Sequence, residues 1–214
     1  EEDRTAGLNP FLIVASAGTT DVGAIDPLAE IGEISKRHGV WYHVDAAYGG
    51  FFILTDEGRE KFKGIELSDS VIIDPHKGLF LPYGLGVVLV KNVDDLKRSF
   101  SFDANYMQDA FTSTDELSPA ELSPELTKHF RGLRLWLPLK LHGVEPFRAC
   151  LEEKLLLTKY FHREVQKLGF ESQLEPELSV GKQPVFKVTE DWVDPRTLVA
   201  AEVDCAKHRD VHFV

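Results

Sequence analysis

Residues 40–50 read Val-Trp-Tyr-His-Val-Asp-Ala-Ala-Tyr-Gly-Gly, and the fold is decided there. Val40 to Val44 has the apolar, β-rich character of a strand, and it ends on a carboxylate, Asp45, followed by small residues. Working back toward the amino end, Phe11 to Ser16 (FLIVAS) is a second short apolar run that stops at Gly18. A run with no polar alternation is the pattern of a buried strand flanked by helices. Between the two strands, Gly18-Thr19-Thr20 forms a loop, Asp26-Pro27 reads as a cap followed by a first-turn proline, and Leu28, Ile31 and Ile34 recur at helical spacing up to Gly39. Working forward, Ser70 to Ile73 is a third strand ending just before His76 and Lys77, and Gly86 to Val90 (GVVLV) is a fourth. Strand, helix, strand, then two further strands predict an α/β sheet.

Beyond the sheet the pattern changes. Asn92 to Arg98 reads as a short helix, and Ser101 to Thr127 is dominated by Asp, Ser, Thr and Pro. A structureless stretch of that length in a compact domain is usually a functional loop or a disordered one, and a mobile loop is expected here. The acidic residues within 107–127 read as a solvated face. Helical periodicity returns at Phe130, Leu133 and Trp136, and a long amphipathic helix is expected from Pro146 to Leu168, stopped by Gly169. After Glu171 the signals weaken to a strand candidate at Val185 to Val188 and a helix after Asp194-Pro195. The expected division is residues 1–143 for one domain, and 144–214 for a connecting helix and part of a smaller one.

Composition narrows the class of partner. The 214 residues are 43% hydrophobic and 28% charged, enough for a sizeable core, and the formal net charge is -11. Nucleic acid and anionic lipid both call for clustered Lys and Arg, so a small-molecule partner is expected, with no nucleic acid and no membrane. No apolar run approaches the ~18 residues of a membrane span, and Glu1-Glu2-Asp3-Arg4 is unlike a signal peptide. The two cysteines, Cys150 and Cys205, form no CxxC pair, which points to a reducing compartment and to cytoplasm. Cys205, His208 and His212 have helical spacing for metal ligands, but ordinary surface residues account for them better, and no metal is expected.

Two short motifs carry the chemistry: HVDAAYGG at 43–50 and Asp74-Pro75-His76-Lys77, each at the carboxyl end of a predicted strand. Ligands bind at that edge of open α/β sheets. A lysine amine and a carboxylate brought from separate strand ends can face opposite sides of one small ring, which is what pyridoxal phosphate requires. Either residue alone reads more readily as a buried Asp or a surface Lys on an ordinary loop.

Together with Ala15-Ser16-Ala17-Gly18-Thr19-Thr20, Gly23, Asp26, Arg131-Gly132-Leu133-Arg134-Leu135-Trp136 and Leu141-His142-Gly143, these motifs resemble the group II pyridoxal-phosphate decarboxylases in order and spacing. This is the family of aromatic-L-amino-acid and glutamate decarboxylases, and the resemblance covers roughly residues 8–170. It implies a fold type I large domain, a mixed and mostly parallel sheet flanked by helices, with part of a small C-terminal α+β domain. It also implies decarboxylation of an L-amino acid, a homodimer and an active site at the subunit interface. Lys77 would form a Schiff base with the cofactor and Asp45 would pair with the ring nitrogen. Ala47 would pack on the ring, Thr20 would contact the cofactor, and Ser70 and His76 would lie beside the phosphate and the substrate. Tyr106 matches a tyrosine on the family's mobile catalytic loop, linked to protonating the carbon that loses carbon dioxide.

Many relatives have Asn where this chain has Asp74, whose carboxylate would repel a phosphate, so no phosphate contact is expected there. Relatives also carry a long region before the equivalent of Asn9, including small residues that cup the phosphate and a histidine that stacks on the ring. The chain is therefore expected to lack the amino-terminal part of the family's domain. The alternatives are another fold type I lyase or aldehyde-forming relative, and an inactive fragment serving as a dimerisation module.

Overall fold

A computed structural model describes residues 1–100, 119–169 and 175–179. After a single exposed turn, α1 (Glu2–Thr5), the chain lays down β1 (Leu12–Ser16), β2 (Trp41–Asp45), β3 (Ser70–Ile73) and β4 (Val87–Val90), which form one sheet in that order. β1 pairs parallel with β2 and β2 with β3, whereas β4 returns antiparallel to β3. The expected α/β class and mixed, mostly parallel sheet are what is observed.

Parallel neighbours need a crossover. α2 (Leu28–His38) supplies the first, and the second runs through a 3-10 turn at Gly50–Leu54, α3 (Asp56–Lys61) and a further turn at Ile65–Leu67. The antiparallel return of β4 needs only the loop after β3, and that loop holds the one-turn α4 (Pro75–Gly78) with Lys77 on it. α5 (Val93–Phe100), α6 (Leu133–His142) and α7 (Glu145–Lys167) complete the α-helices among the described residues. Gly39 closes α2 at φ 62, a left-handed conformation glycine adopts without steric cost.

The expected cap of α2 is corrected. Asp26 does not cap the helix: Pro27 stands at the N-cap, with no side-chain cap bond. The Asp26 carboxylate instead accepts the Ser16 amide at 2.7 Å, and its own amide donates to the Ser16 carbonyl at 2.9 Å. Ile25 bridges back to Ala17, so this segment is held extended against the end of β1 and cannot turn to face the helix.

Along each strand alternate side chains take opposite faces. One face carries Ala15, Ala17, Tyr42, Val44 and Ala46, all buried together with Leu28, Phe52, Phe62 and Leu79. α7 adds Leu151 and Leu155 to the same core, and Leu178 joins it from the segment 175–179. The other face, in register with Asp45, leaves Leu12, Val14 and Val88 43%, 54% and 59% exposed. Of the expected irregular loop, residues 101–118 lie outside the described residues, and a 3-10 turn occupies Pro119–Glu121. The strand candidate at Val185, the helix after Asp194-Pro195 and the Cys205, His208, His212 cluster also lie outside them. Among the described residues no helix is long and apolar enough to cross a membrane, and no group of three or more His, Cys, Asp or Glu could hold a metal.

Candidate active site

The register brings the carboxyl ends of β1, β2 and β3 to one edge, because Ser16 is paired with Asp45 and Asp45 with Ile72. Pairing continues past the strands: the Ala17 amide donates to the Asp45 carbonyl at 2.7 Å, the Ala46 amide to the Ile72 carbonyl at 3.0 Å, and the Asp74 amide to the Ala47 carbonyl at 3.1 Å. The loops carrying Gly18-Thr19-Thr20, Asp45-Ala46-Ala47 and Asp74 to Lys77 therefore lie side by side.

Two glycines allow this approach. A Cβ on Gly49 would stand 2.1 Å from the Ala17 carbonyl oxygen, and one on Gly18 2.7 Å from the Gly49 Cα. Only backbones without side chains can pass that closely. Leu178 seals the contact from outside the sheet, with its Cδ1 2.8 Å from the same Gly49 position. Tyr48 adds a bond of its hydroxyl to Ser179 Oγ at 2.5 Å, and burial pushes its phenol up from the usual value while that hydrogen bond opposes the shift.

Each expected site residue can now be located. Asp45 ends β2 on the sheet face opposite the core, exposed, with one carboxylate oxygen accepting the Ala47 amide at 3.1 Å. Ala47 follows it, half-buried, and Thr20 is exposed on the first loop. That loop is held by its neighbour: the Thr19 hydroxyl accepts the Ala24 amide at 3.0 Å. His76 and Lys77 sit on α4 at the same edge. Ser70 is not brought there. It opens β3 at the opposite end of the strand, where its hydroxyl accepts the Trp41 indole at 2.9 Å and bonds His43 Nδ1 at 2.8 Å. A β-strand rises ~3.3 Å per residue, so the length of β3 separates Ser70 from the Lys77 edge. Tyr106 lies outside the described residues.

The surroundings of His76 and Lys77 were only partly visible in the sequence. His76 Nδ1 lies 2.7 Å from the Leu85 carbonyl, which can only accept, so Nδ1 carries a proton and donates it in this bond. The Tyr83 ring packs on the imidazole with centroids 4.6 Å apart, and Arg134 Nη1 donates to the Tyr83 carbonyl at 2.9 Å. Arg134 belongs to the Arg-Gly-Leu-Arg-Leu-Trp motif, which thereby fixes the loop that returns to β4. Lys77 Nζ is paired with Asp74 Oδ2 at 2.8 Å across one helical turn. The i, i+3 spacing of Asp74 and Lys77 was the signal for that pair.

Residues 1–181 match the pyridoxal-dependent decarboxylase conserved domain. The chain belongs to this family. It is 39% identical over 160 residues to the aromatic-L-amino-acid decarboxylase of Bacillus atrophaeus, covering 74% of this chain and 33% of that protein. It is 36% identical over 175 residues to the cysteine sulfinic acid decarboxylase of Mus musculus, covering 80% and 35%. A solved structure of Oryza sativa TDC with PLP and tryptamine superposes with a TM-score of 0.76 at 28% identity, over 83% of this chain and 37% of that one. The chain thus spans about a third of the length of the relatives it matches. Pyridoxal phosphate is the family's cofactor, and the groups at this edge suit it: an amine 41% exposed, a carboxylate at the end of the neighbouring strand, and a methyl side chain beside that carboxylate that leaves room for a flat ring.

Proposed function

We propose that this chain supplies the lysine and the ring-nitrogen carboxylate of an L-amino-acid decarboxylase that works with pyridoxal phosphate. The reading is carried by one observation: an amine and a carboxylate arrive at a single sheet edge from separate strands, held side by side by the bond between the Asp74 amide and the Ala47 carbonyl. When bound, the cofactor supplies an electron-accepting ring that stabilises the electron pair left as carbon dioxide departs.

The chain's own residues then have distinct tasks. Lys77 would hold the cofactor through its amine. Asp45 would pair with the ring nitrogen and favour its protonated form. Ala47 and Thr20 border the ring from the two neighbouring loops. His76 is assigned to the substrate side, its ring oriented by the Leu85 carbonyl and the Tyr83 ring. Tyr106 is assigned to returning a proton to the substrate carbon. Ser70 enters indirectly, by holding His43 on the strand that ends in Asp45. A homodimer with its site at the subunit interface, and a reducing, cytoplasmic setting, belong to the same reading.

The test is to mix the protein with pyridoxal phosphate, reduce with borohydride and map the label. A visible absorption band and a label on Lys77, both lost in Lys77→Ala, are expected. A protein that stays colourless and unlabelled at saturating cofactor favours an inert interaction module. A panel of aromatic, acidic and basic amino acids, assayed for carbon dioxide release, then identifies the substrate class. Asp45→Ala should keep the label and lose turnover.

A further inference from the structure

The ion pair beneath Lys77 is not explained by cofactor binding. Asp74 Oδ2 lies 2.8 Å from Lys77 Nζ, and the carboxylate side chain is only 15% exposed against 41% for the lysine. The aspartate also sits on a backbone held from both sides. The Asp74 amide is bonded to the Ala47 carbonyl, and its carbonyl accepts the amides of Lys77 and Gly78. Gly86 lies against the carboxylate, with the position of a Cβ there 3.2 Å from Oδ1, so the return strand closes one side of it. A fixed acid therefore faces a long, flexible base.

We propose that Asp74 is a positioning residue that latches the Lys77 amine in a salt bridge, and that a carbonyl ligand must open this bridge before it can reach the amine. The latch does two things. It holds Nζ near the β2–β3 edge, and it makes the amine of the cofactor-free chain less available than its exposure suggests. The carboxylate also disfavours an anionic group on that side of Lys77 once the pair is open. The inference rests on the reading of Lys77 as the cofactor lysine for its importance, but its test does not require the cofactor.

The probe is formaldehyde with a borane reductant, a small neutral carbonyl that methylates amines, with the label at each lysine read by peptide mass spectrometry. Partly exposed ion pairs are weak, so Asp74→Asn should raise labelling of Lys77 by about twofold to fivefold relative to Lys36 on α2. The asparagine keeps the shape and the backbone bonds, so an unchanged circular dichroism spectrum should accompany the change. A second measurement uses the unsubstituted protein: raising salt screens the pair, so Lys77 labelling should rise more than that of Lys36. Equal or slower labelling in Asp74→Asn, or no selective salt response at Lys77, overturns the latch. If labelling responds as expected but pyridoxal phosphate never marks Lys77, the latch stands and the decarboxylase reading fails.

Discussion

Gly49→Ala tests the close approach on which the edge depends. Gly49 has φ -79 and ψ -21, which alanine adopts freely, so the backbone conformation itself costs nothing. By restricting the unfolded chain, the substitution should even stabilise by ~0.4–1 kcal/mol. Against that, the new methyl would stand 2.1 Å from the Ala17 carbonyl oxygen, 2.9 Å from its carbon and 2.8 Å from Leu178 Cδ1. Carbon contacts relax only at ~3.5–4.0 Å, so a backbone shift on the order of 1 Å is required. Ala17 resists that shift because its amide is tied to Asp45 at 2.7 Å. Overpacking typically costs ~1–3 kcal/mol, and a backbone obstacle puts this case at or above the upper end. After the entropic offset, a net loss of about 2–3 kcal/mol is expected. Gly132→Ala is the control: φ -57 and ψ -27 are equally helical, and its nearest neighbour, Phe130 Cε2, is 3.9 Å away. It should be neutral or stabilising by ~0.5 kcal/mol. Urea unfolding of both variants measures the difference, and a Gly49→Ala protein within ~0.5 kcal/mol of its parent refutes the reasoning.

Three more outcomes follow from the same geometry. Asp26→Ala removes the charged acceptor of the Ser16 amide, 2.7 Å away, and should cost about 1.5–3 kcal/mol, whereas Asp26→Asn, which keeps an acceptor, should cost less in the same unfolding assay. The Tyr42 phenol donates to the Leu28 carbonyl at 2.9 Å and is pushed up from 10.0 to about 12, chiefly by burial and further by the Asp26 charge. Because the unfolded phenol ionises first, the unfolded chain binds fewer protons between those values; stability should therefore be intact below pH 10 and fall on the order of 2 kcal/mol toward pH 12, a decline that Tyr42→Phe should flatten. Leu151→Ala should lose ~2–5 kcal/mol by thermal or urea unfolding, since Leu151 is fully buried in the core that α7 shares with the sheet.

The strands were legible because their signal is local and redundant. Apolar runs of the right length ended at Ser16, Asp45 and Ile73, and a parallel sheet then dictates that the residues just beyond those ends become neighbours. Asp26 was misread for the opposite reason. Asp-Pro before an amphipathic run is good cap grammar, but the competing acceptor role toward Ser16 depends on how the chain folds back, which no window of sequence contains. Leu178 was equally hidden: it lies beyond α7, in a stretch with weak periodicity, yet it covers the Gly18 and Gly49 contact. Ser70 opens the strand that precedes the lysine turn, and the length of that strand, already expected from the sequence, keeps the two apart.

What the sequence reading lacked at Lys77 was the role of the antiparallel return. Had β4 run parallel, a crossover would have carried the chain away from the edge after Lys77. Instead β4 comes straight back, with Val87 opposite Ile73, and its approach adds side-chain contacts to the backbone bonds that already hold the lysine turn. The Leu85 carbonyl accepts a hydrogen bond from His76 Nδ1, Tyr83 covers the imidazole, and Gly86 lies against the Asp74 carboxylate. Arg134 holds this return loop from α6 through the Tyr83 carbonyl. Arg134, Tyr83 and His76 are thus parts of one mechanical unit beside the turn that carries Lys77. On that view, loosening the loop by Arg134→Gln should disturb His76 before it disturbs the sheet, because the core that stabilises the strands lies on the other side of them.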